Sequence, residues 1–217
     1  MYKIHSLFVT SEHLYPSLVD DNGLHIHVSI HSPKVSEGEI SSLAPTLNPL
    51  EAIFLQSPLD NLRGICAFSM TIPSSYERTQ EYARRSVQHV WGPGKYVCWG
   101  THHRQVPIRL CGLPGAHKFE LRSVDASGNS YLLLVSIVAV AIEGVENQMT
   151  LTASDSTALL GQNAKMVAVI PDELPHSFHE AFRCLEEQDT MGKFLLGEFH
   201  PGVIEVCSLP SWVWSNH

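Results

Sequence analysis

The chain has 217 residues, 44% of them hydrophobic and 17% charged, with a formal net charge of −8. A domain of this length buries roughly 70% of the surface its unfolded chain exposes, so it needs no disulfide or metal staple merely to fold. With an acidic balance and no basic block beyond the dipeptide Arg84-Arg85, the sequence excludes nucleic-acid binding by phosphate neutralisation. The five cysteines are scattered and form no C-x-x-C pair, which suits free thiols in a reducing compartment. The amino terminus lacks a basic segment followed by an apolar one, so a cytoplasmic location is expected.

In chain order, Ser6–Thr10 and Gly23–Ile30 read as strands; the second alternates Leu24, Ile26 and Val28 with His25, His27 and Ser29. Ser32–Pro49 is a polar loop rich in turn formers. From Leu50 to Met70 the apolar spacing is helical (Phe54, Leu55, Leu59, Leu62, Ile65), with Pro58 expected to kink or interrupt it. A further helix is predicted from about Ser75 to Val87, followed by the glycine-proline turn "VWGPGKY". Short strands are predicted near Tyr96–Trp99, Val106–Leu110 and Lys118–Arg122. Asp125 or Ser127 is the expected cap of a helix over Asn129–Val145. Its core, "YLLLVSIVAVAI", falls short of the roughly 20 residues a membrane span needs and reads as a buried helix. "LPHSFHEAFRCLEEQDTMGKFL" places Phe178, Ala181, Phe182 and Leu185 on one helical face, and an aromatic tail closes the chain. Irregular alternation of strands and helices predicts an α+β fold.

Three groups of residues carry chemistry. His25 and His27, two apart on a strand, share the face opposite Leu24, Ile26 and Val28; they suit a metal, a phosphate oxygen or an exposed polar face. Glu120 and Arg122 likewise share a face, where a carboxylate binds a hard cation and a guanidinium an anion, unless the two form a surface salt bridge. Arg78, Arg104, Arg109 and Arg122 would suit a polyanion if the fold brought them together. No phosphate-loop, dinucleotide or nucleophile-elbow motif is present.

Taken in order, "DNGLHIHVSI", "AFSMTIPSSYERT", "YVCWGTHHRQVPIRL", "FELRSVDASGNSYLLLVSIVAVAIEGV" and "LPHSFHEAFRCLEEQD" resemble the catalytic domain of glutamine synthetases, with "VWGPG" and "WGT" most similar to the fungal glutamine-synthetase-like branch. The resemblance implies an antiparallel curved sheet with flanking helices over residues 1–207, a tail at 208–217, and no amino-terminal β-grasp domain. It implies an ATP-dependent ligase that phosphorylates the γ-carboxylate of glutamate or a related acid and lets ammonia or another amine displace the phosphate, using Mg²⁺ or Mn²⁺. By the same resemblance His25 and Glu120 hold a metal, and His27, Ser29, Arg104 and Arg109 bind ATP. Arg78 and Arg122 bind the acid, while Arg122 and Arg104 act on the transferring phosphoryl group.

The sequence also departs from the family pattern. His103 stands where an asparagine precedes Arg104, Ser130 follows Asn129 in place of a proline, and the family's other metal-binding glutamates have no counterpart. Two functions are therefore expected: a working ligase, or a non-catalytic binding or regulatory protein descended from one. The expected partners are a second copy of the chain or a full-length paralogue, with no nucleic acid and no membrane.

Overall fold

The computed structural model of the chain describes residues 3–10, 23–31, 40–84, 94–157 and 172–188. Residues 90–93 of the "VWGPGKY" turn, the end of the third expected helix toward Val87, residues 32–39 of the polar loop and the aromatic tail lie outside the described residues.

Five strands form one sheet: β1 (Lys3–Thr10), β2 (Gly23–His31), β3 (Trp99–Thr101), β4 (Ile108–Cys111) and β5 (Lys118–Asp125), in the order β1-β2-β5-β4-β3. The α+β class is as expected, but the sheet is mixed. β1, β2, β5 and β4 pair antiparallel, whereas β3 runs parallel to β4, with Trp99 opposite Ile108 and Thr101 opposite Leu110. The segment between β3 and β4 therefore crosses over rather than making the hairpin that an all-antiparallel sheet requires. The strand expected at Tyr96–Trp99 begins only at Trp99; Tyr96 forms an isolated bridge to Glu173.

The helices α1 (Pro49–Asp60), α2 (Leu62–Ser69), α3 (Pro73–Arg84), α4 (Ser130–Glu146) and α5 (Phe178–Glu187) supply the rest of the core. Asn48 starts α1 with a capping box: its Oδ1 accepts from Glu51 N and its N–H donates to Glu51 Oε2, both at 2.9 Å. Pro58 lies inside α1, and the chain breaks three residues later at Asn61, whose Nδ2 donates to Ser57 O at 2.9 Å. α1 and α2 are thus the two halves of the expected interrupted helix.

The cap of α4 is Asn129, which accepts from the amides of Tyr131 and Leu132, not Asp125 or Ser127. Asp125 instead ties the end of β5 to the start of α3, accepting from Ser75 Oγ at 2.6 Å and from Thr71 N at 3.0 Å. Its other oxygen, Oδ1, accepts from the amides of Ser127 and Gly128 and so holds the turn before α4.

One apolar face of the sheet, made by Leu24, Ile26, Val28, Ile108, Leu110, Phe119 and Leu121, packs on Phe54, Leu55, Leu59, Leu62 and Ile65. The Phe54 and Phe119 rings meet at 5.0 Å between centroids. α4 lies against α1 and α2, and α5 against α2. α1 and α4 approach closely at Gly144, where an added Cβ would stand 2.7 Å from Ser57 Cβ. The Ser57 hydroxyl reaches across to donate to Val140 O. α4 buries one face, with Leu133, Ile137 and Val140 in the core, while Tyr131 and Ile142 are exposed, and no described helix is long and apolar enough to cross a membrane.

Candidate functional site

The face of β2, β4 and β5 opposite this core carries the candidate residues. Glu120 sits at the middle of a row across three strands, paired with His27 on β2 and with Arg109 on β4. Its carboxylate is almost wholly buried, at 1% exposure. Oε1 lies 2.6 Å from Arg122 Nη1 and 3.0 Å from His25 Nδ1, and Oε2 lies 2.6 Å from Arg109 Nε. The Cys111 thiol donates to Oε2 at 3.5 Å. A carboxylate has about four lone-pair positions, so these four neighbours fill them.

Burial by itself would raise the pKa of Glu120. The bond to His25 and the charges of Arg122 and Arg109 outweigh burial and hold it at about 2. Glu120 is thus a fixed anion. The pKa of His27 is also lowered, here by burial itself; Arg109 and His25 add to that, and the opposing pull of Glu120 is smaller than the effect of burial. A neutral imidazole with an available ring nitrogen is the result.

A register shift positions His25. Leu24 pairs with Val124 and Ile26 with Leu121, so β5 carries one more residue than β2 between these pairs. Such a bulge reverses the in–out alternation. Val124 therefore joins Phe119 and Leu121 in the core despite its opposite parity, and His25 lies beside Arg122, with Nδ1 and Nη1 3.4 Å apart.

The structure thus gathers His25, His27, Arg109, Glu120 and Arg122. Ser29 follows on the same strand, half-buried. Arg78, in α3, donates from Nη2 to Val124 O at 3.0 Å. Its Nη1 lies over Gly23, where an added Cβ would come within 2.6 Å of it, so the missing side chain makes room for the guanidinium at the end of β2. Arg104 is exposed in the turn between β3 and β4. That turn has His102 in the left-handed region at φ 55°, and it is anchored where Thr101 Oγ1 donates to Asp155 Oδ2 at 2.6 Å. Burial lowers the pKa of His103, which stands between Asp155 and Arg122 in its electrostatics.

Two participants were not among the residues expected from sequence. Cys111 follows Arg109 by two positions on one strand, so period two could have placed it on the same face. Asp155 carries no local signal, because its role rests on a contact with a residue 54 positions away.

His25 Nδ1 and Glu120 Oε1 are 3.0 Å apart. Two adjacent ligands of an octahedral ion with bonds near 2.1 Å stand about 3.0 Å apart, so this pair fits one edge of a divalent-ion shell. The surrounding charge is less accommodating: one carboxylate faces two guanidiniums. An ion bound there needs further negative charge, of the kind that nucleotide phosphates carry.

Residues 16–206 match the family described as glutamine synthetase, catalytic domain. Protein fluG of Emericella nidulans is 26% identical over 195 residues, which cover 88% of this chain and 21% of that protein. Glutamate–methylamine ligase of Methyloversatilis universalis is 30% identical over 199 residues, covering 90% of this chain and 43% of the ligase. Among solved structures, GmaS without ligand superposes with a TM-score of 0.59 at 22% identity, over 88% of this chain and 43% of its own. A novel glutamine synthase homolog gives 0.55 at 21% identity, over 78% and 36%. These two structures share the fold. The chain spans less than half the length of each of these relatives.

Proposed function

The chain belongs to the glutamine synthetase family through its catalytic domain, and on that premise we propose that it carries part of an ATP-dependent ligase site joining glutamate, or a related acid, to ammonia or a small amine such as methylamine. The observation that carries the reading is the buried Glu120 anion, set among Arg109, Arg122, His25 and His27 on one sheet face. Phosphoryl transfer is catalysed mainly by placing fixed charge around the moving phosphoryl group, and this face is an array of fixed charge.

In this reading, a γ-carboxylate oxygen of the acid attacks the γ-phosphorus of ATP, and ADP leaves. The amine lone pair then attacks the acyl carbon, phosphate leaves with the bonding pair, and the nitrogen gives up its proton. Arg109 spends one N–H on Glu120, and a guanidinium has five donors, so the same side chain reaches a phosphate oxygen without releasing the carboxylate. Arg104 and the neutral His27 join it along the nucleotide, with Ser29 farther along β2. Arg122, held by Glu120, faces the transferring group, and Arg78 takes the acid at the Gly23 end of β2. His25 and Glu120 would hold a divalent cation, which neutralises phosphate charge when bound. The described cysteines, all free thiols, favour a reducing compartment such as the cytoplasm.

A second reading follows from the charge count. Two guanidiniums against one carboxylate suit a polyanion without a metal, as in a nucleotide-binding protein that does not turn over. Phosphate release by the natural protein, with ATP, Mn²⁺, glutamate and either ammonia or methylamine, separates the two. Release that disappears in Arg122→Lys and Glu120→Gln supports the ligase. ATP binding by calorimetry with no release for any acid and amine supports the binding protein.

A further inference from the structure

The polar face holds a sulfur donor, Cys111, that the ligase reading leaves unused, beside two groups that it does use. Ligand atoms of His27, Cys111 and Glu120 all lie within 4.8 Å of one another, and His25 is not one of the three. His27 and Glu120 are cross-strand partners, and Cys111 lies two residues along β4 from Arg109, the other partner of Glu120. Cys111 Sγ is 3.5 Å from Glu120 Oε2. With a bond near 2.3 Å to sulfur and 2.0–2.2 Å to oxygen, two ligands of a tetrahedral zinc ion stand about 3.5 Å apart. The separation already suits a shared ion.

A cation already lies in this notch. Arg109 Nε is 2.6 Å from Glu120 Oε2 and 3.0 Å from Cys111 Sγ. We infer that His27, Cys111 and Glu120 form a site for a thiophilic divalent cation, Zn²⁺ or a similar ion, which exchanges with the Arg109 guanidinium. The exchange conserves charge. With Arg109 in place, the notch holds one carboxylate, a neutral thiol and one guanidinium. With zinc, it holds one carboxylate, one thiolate and a dication, while Arg109 swings outward and the thiol proton leaves to solvent. Arg122, bonded to the other oxygen of Glu120, adds one positive charge to both states, so the net charge is the same with and without the metal.

The donors decide which metal enters. Thiolate and imidazole beside a carboxylate favour zinc over the oxygen-seeking Mg²⁺ and Mn²⁺. A metal-bound thiol must give up its proton, so an ion that binds sulfur strongly is favoured. His27 and Cys111 are half-buried and Glu120 is buried, so the site opens to solvent on one side. Three protein ligands leave a fourth position for water or a phosphate oxygen. The inference stands apart from the ligase reading, but the two compete for groups: zinc here takes Glu120, His27 and Arg109 away from the nucleotide.

The test is titration of the natural protein with Co²⁺ alone, followed by the sulfur-to-metal charge-transfer absorption, in excess Mg²⁺. One equivalent should give the band, and Zn²⁺ should bleach it. Cys111→Ser, a near-isosteric change, should abolish the band, His27→Ala should weaken binding about tenfold or more, and Cys66→Ser should leave both unchanged. Arg109→Met should tighten binding, an effect that misfolding does not produce. Absence of the band, or a band that survives Cys111→Ser, overturns the site. Unchanged affinity in Arg109→Met overturns the exchange. Phosphate release measured without Co²⁺ tests the ligase separately, so either idea can fail alone.

Discussion

The two faces of β2 and β5 are built from alternate residues of the same strands, yet they are held together by different physics. Ile26, Val28, Phe119 and Leu121 pack on α1 and α2 through contacts that depend on volume and are indifferent to direction. One residue away, Glu120 satisfies two guanidiniums, an imidazole and a thiol with two oxygens, each bond fixed in direction and charge. The apolar face tolerates repacking. The polar face does not, because losing Glu120 leaves one buried and one half-buried guanidinium without their counter-ion. The two faces thus share one buried layer, and only the polar side presents groups suited to chemistry.

The sharpest break in that comparison is a pair of neighbouring substitutions. Glu120→Ala should cost about 3–5 kcal/mol by stranding Arg109 and Arg122, and Phe119→Ala should cost a similar amount by opening a cavity beside Phe54. Urea unfolding measures both. Methionine at Arg109 and Arg122 should recover much of the first loss and none of the second.

Acid should separate the faces next. Glu120 has its pKa lowered from 4.5 to about 2 in the folded protein. A depressed carboxyl pKa contributes stability that is fully present above the unfolded value and is lost as pH falls through the folded one. Unfolding followed from about pH 5 to 2 should therefore show a progressive loss in the native protein and a shallower one in Glu120→Gln. Equal slopes would remove Glu120 from the account.

On the helical side, Gly144→Ala should cost about 1–3 kcal/mol, because the new methyl meets Ser57 across the α1–α4 contact. A thermal melt should move down, and Ser57→Gly should partly restore it. The smallest effect is local: Asn129→Ala removes the cap of α4 and should cost about 1 kcal/mol. Asn129→Asp should retain most of the stability in the same melt.

Much of this organisation was legible in the chain. The alternation in Gly23–Ile30 predicted the face that His25 and His27 share, and Glu120 with Arg122 did the same on β5. The apolar run of α4 predicted a buried helix, of which one face is buried, and Phe178, Ala181, Phe182 and Leu185 predicted the inner face of α5. All of these follow from periods of two or 3.6 residues, which chain geometry imposes within one element. The break after Pro58 was legible in kind, although the chain absorbed it at Asn61.

What lay beyond the sequence were relations between elements. No local pattern marks the extra residue of β5, the parallel pairing of β3 with β4, or the choice of Asn129 over Asp125 as a cap. The sequence alone determined which residue types alternate and which polar side chains share a strand face, because those follow from backbone periodicity. Tertiary structure decided that His25 meets Arg122 across 97 positions and that Cys111 and Arg109 converge on one carboxylate. Strand register sets those meetings, and register is an energy of the whole sheet rather than of any one strand.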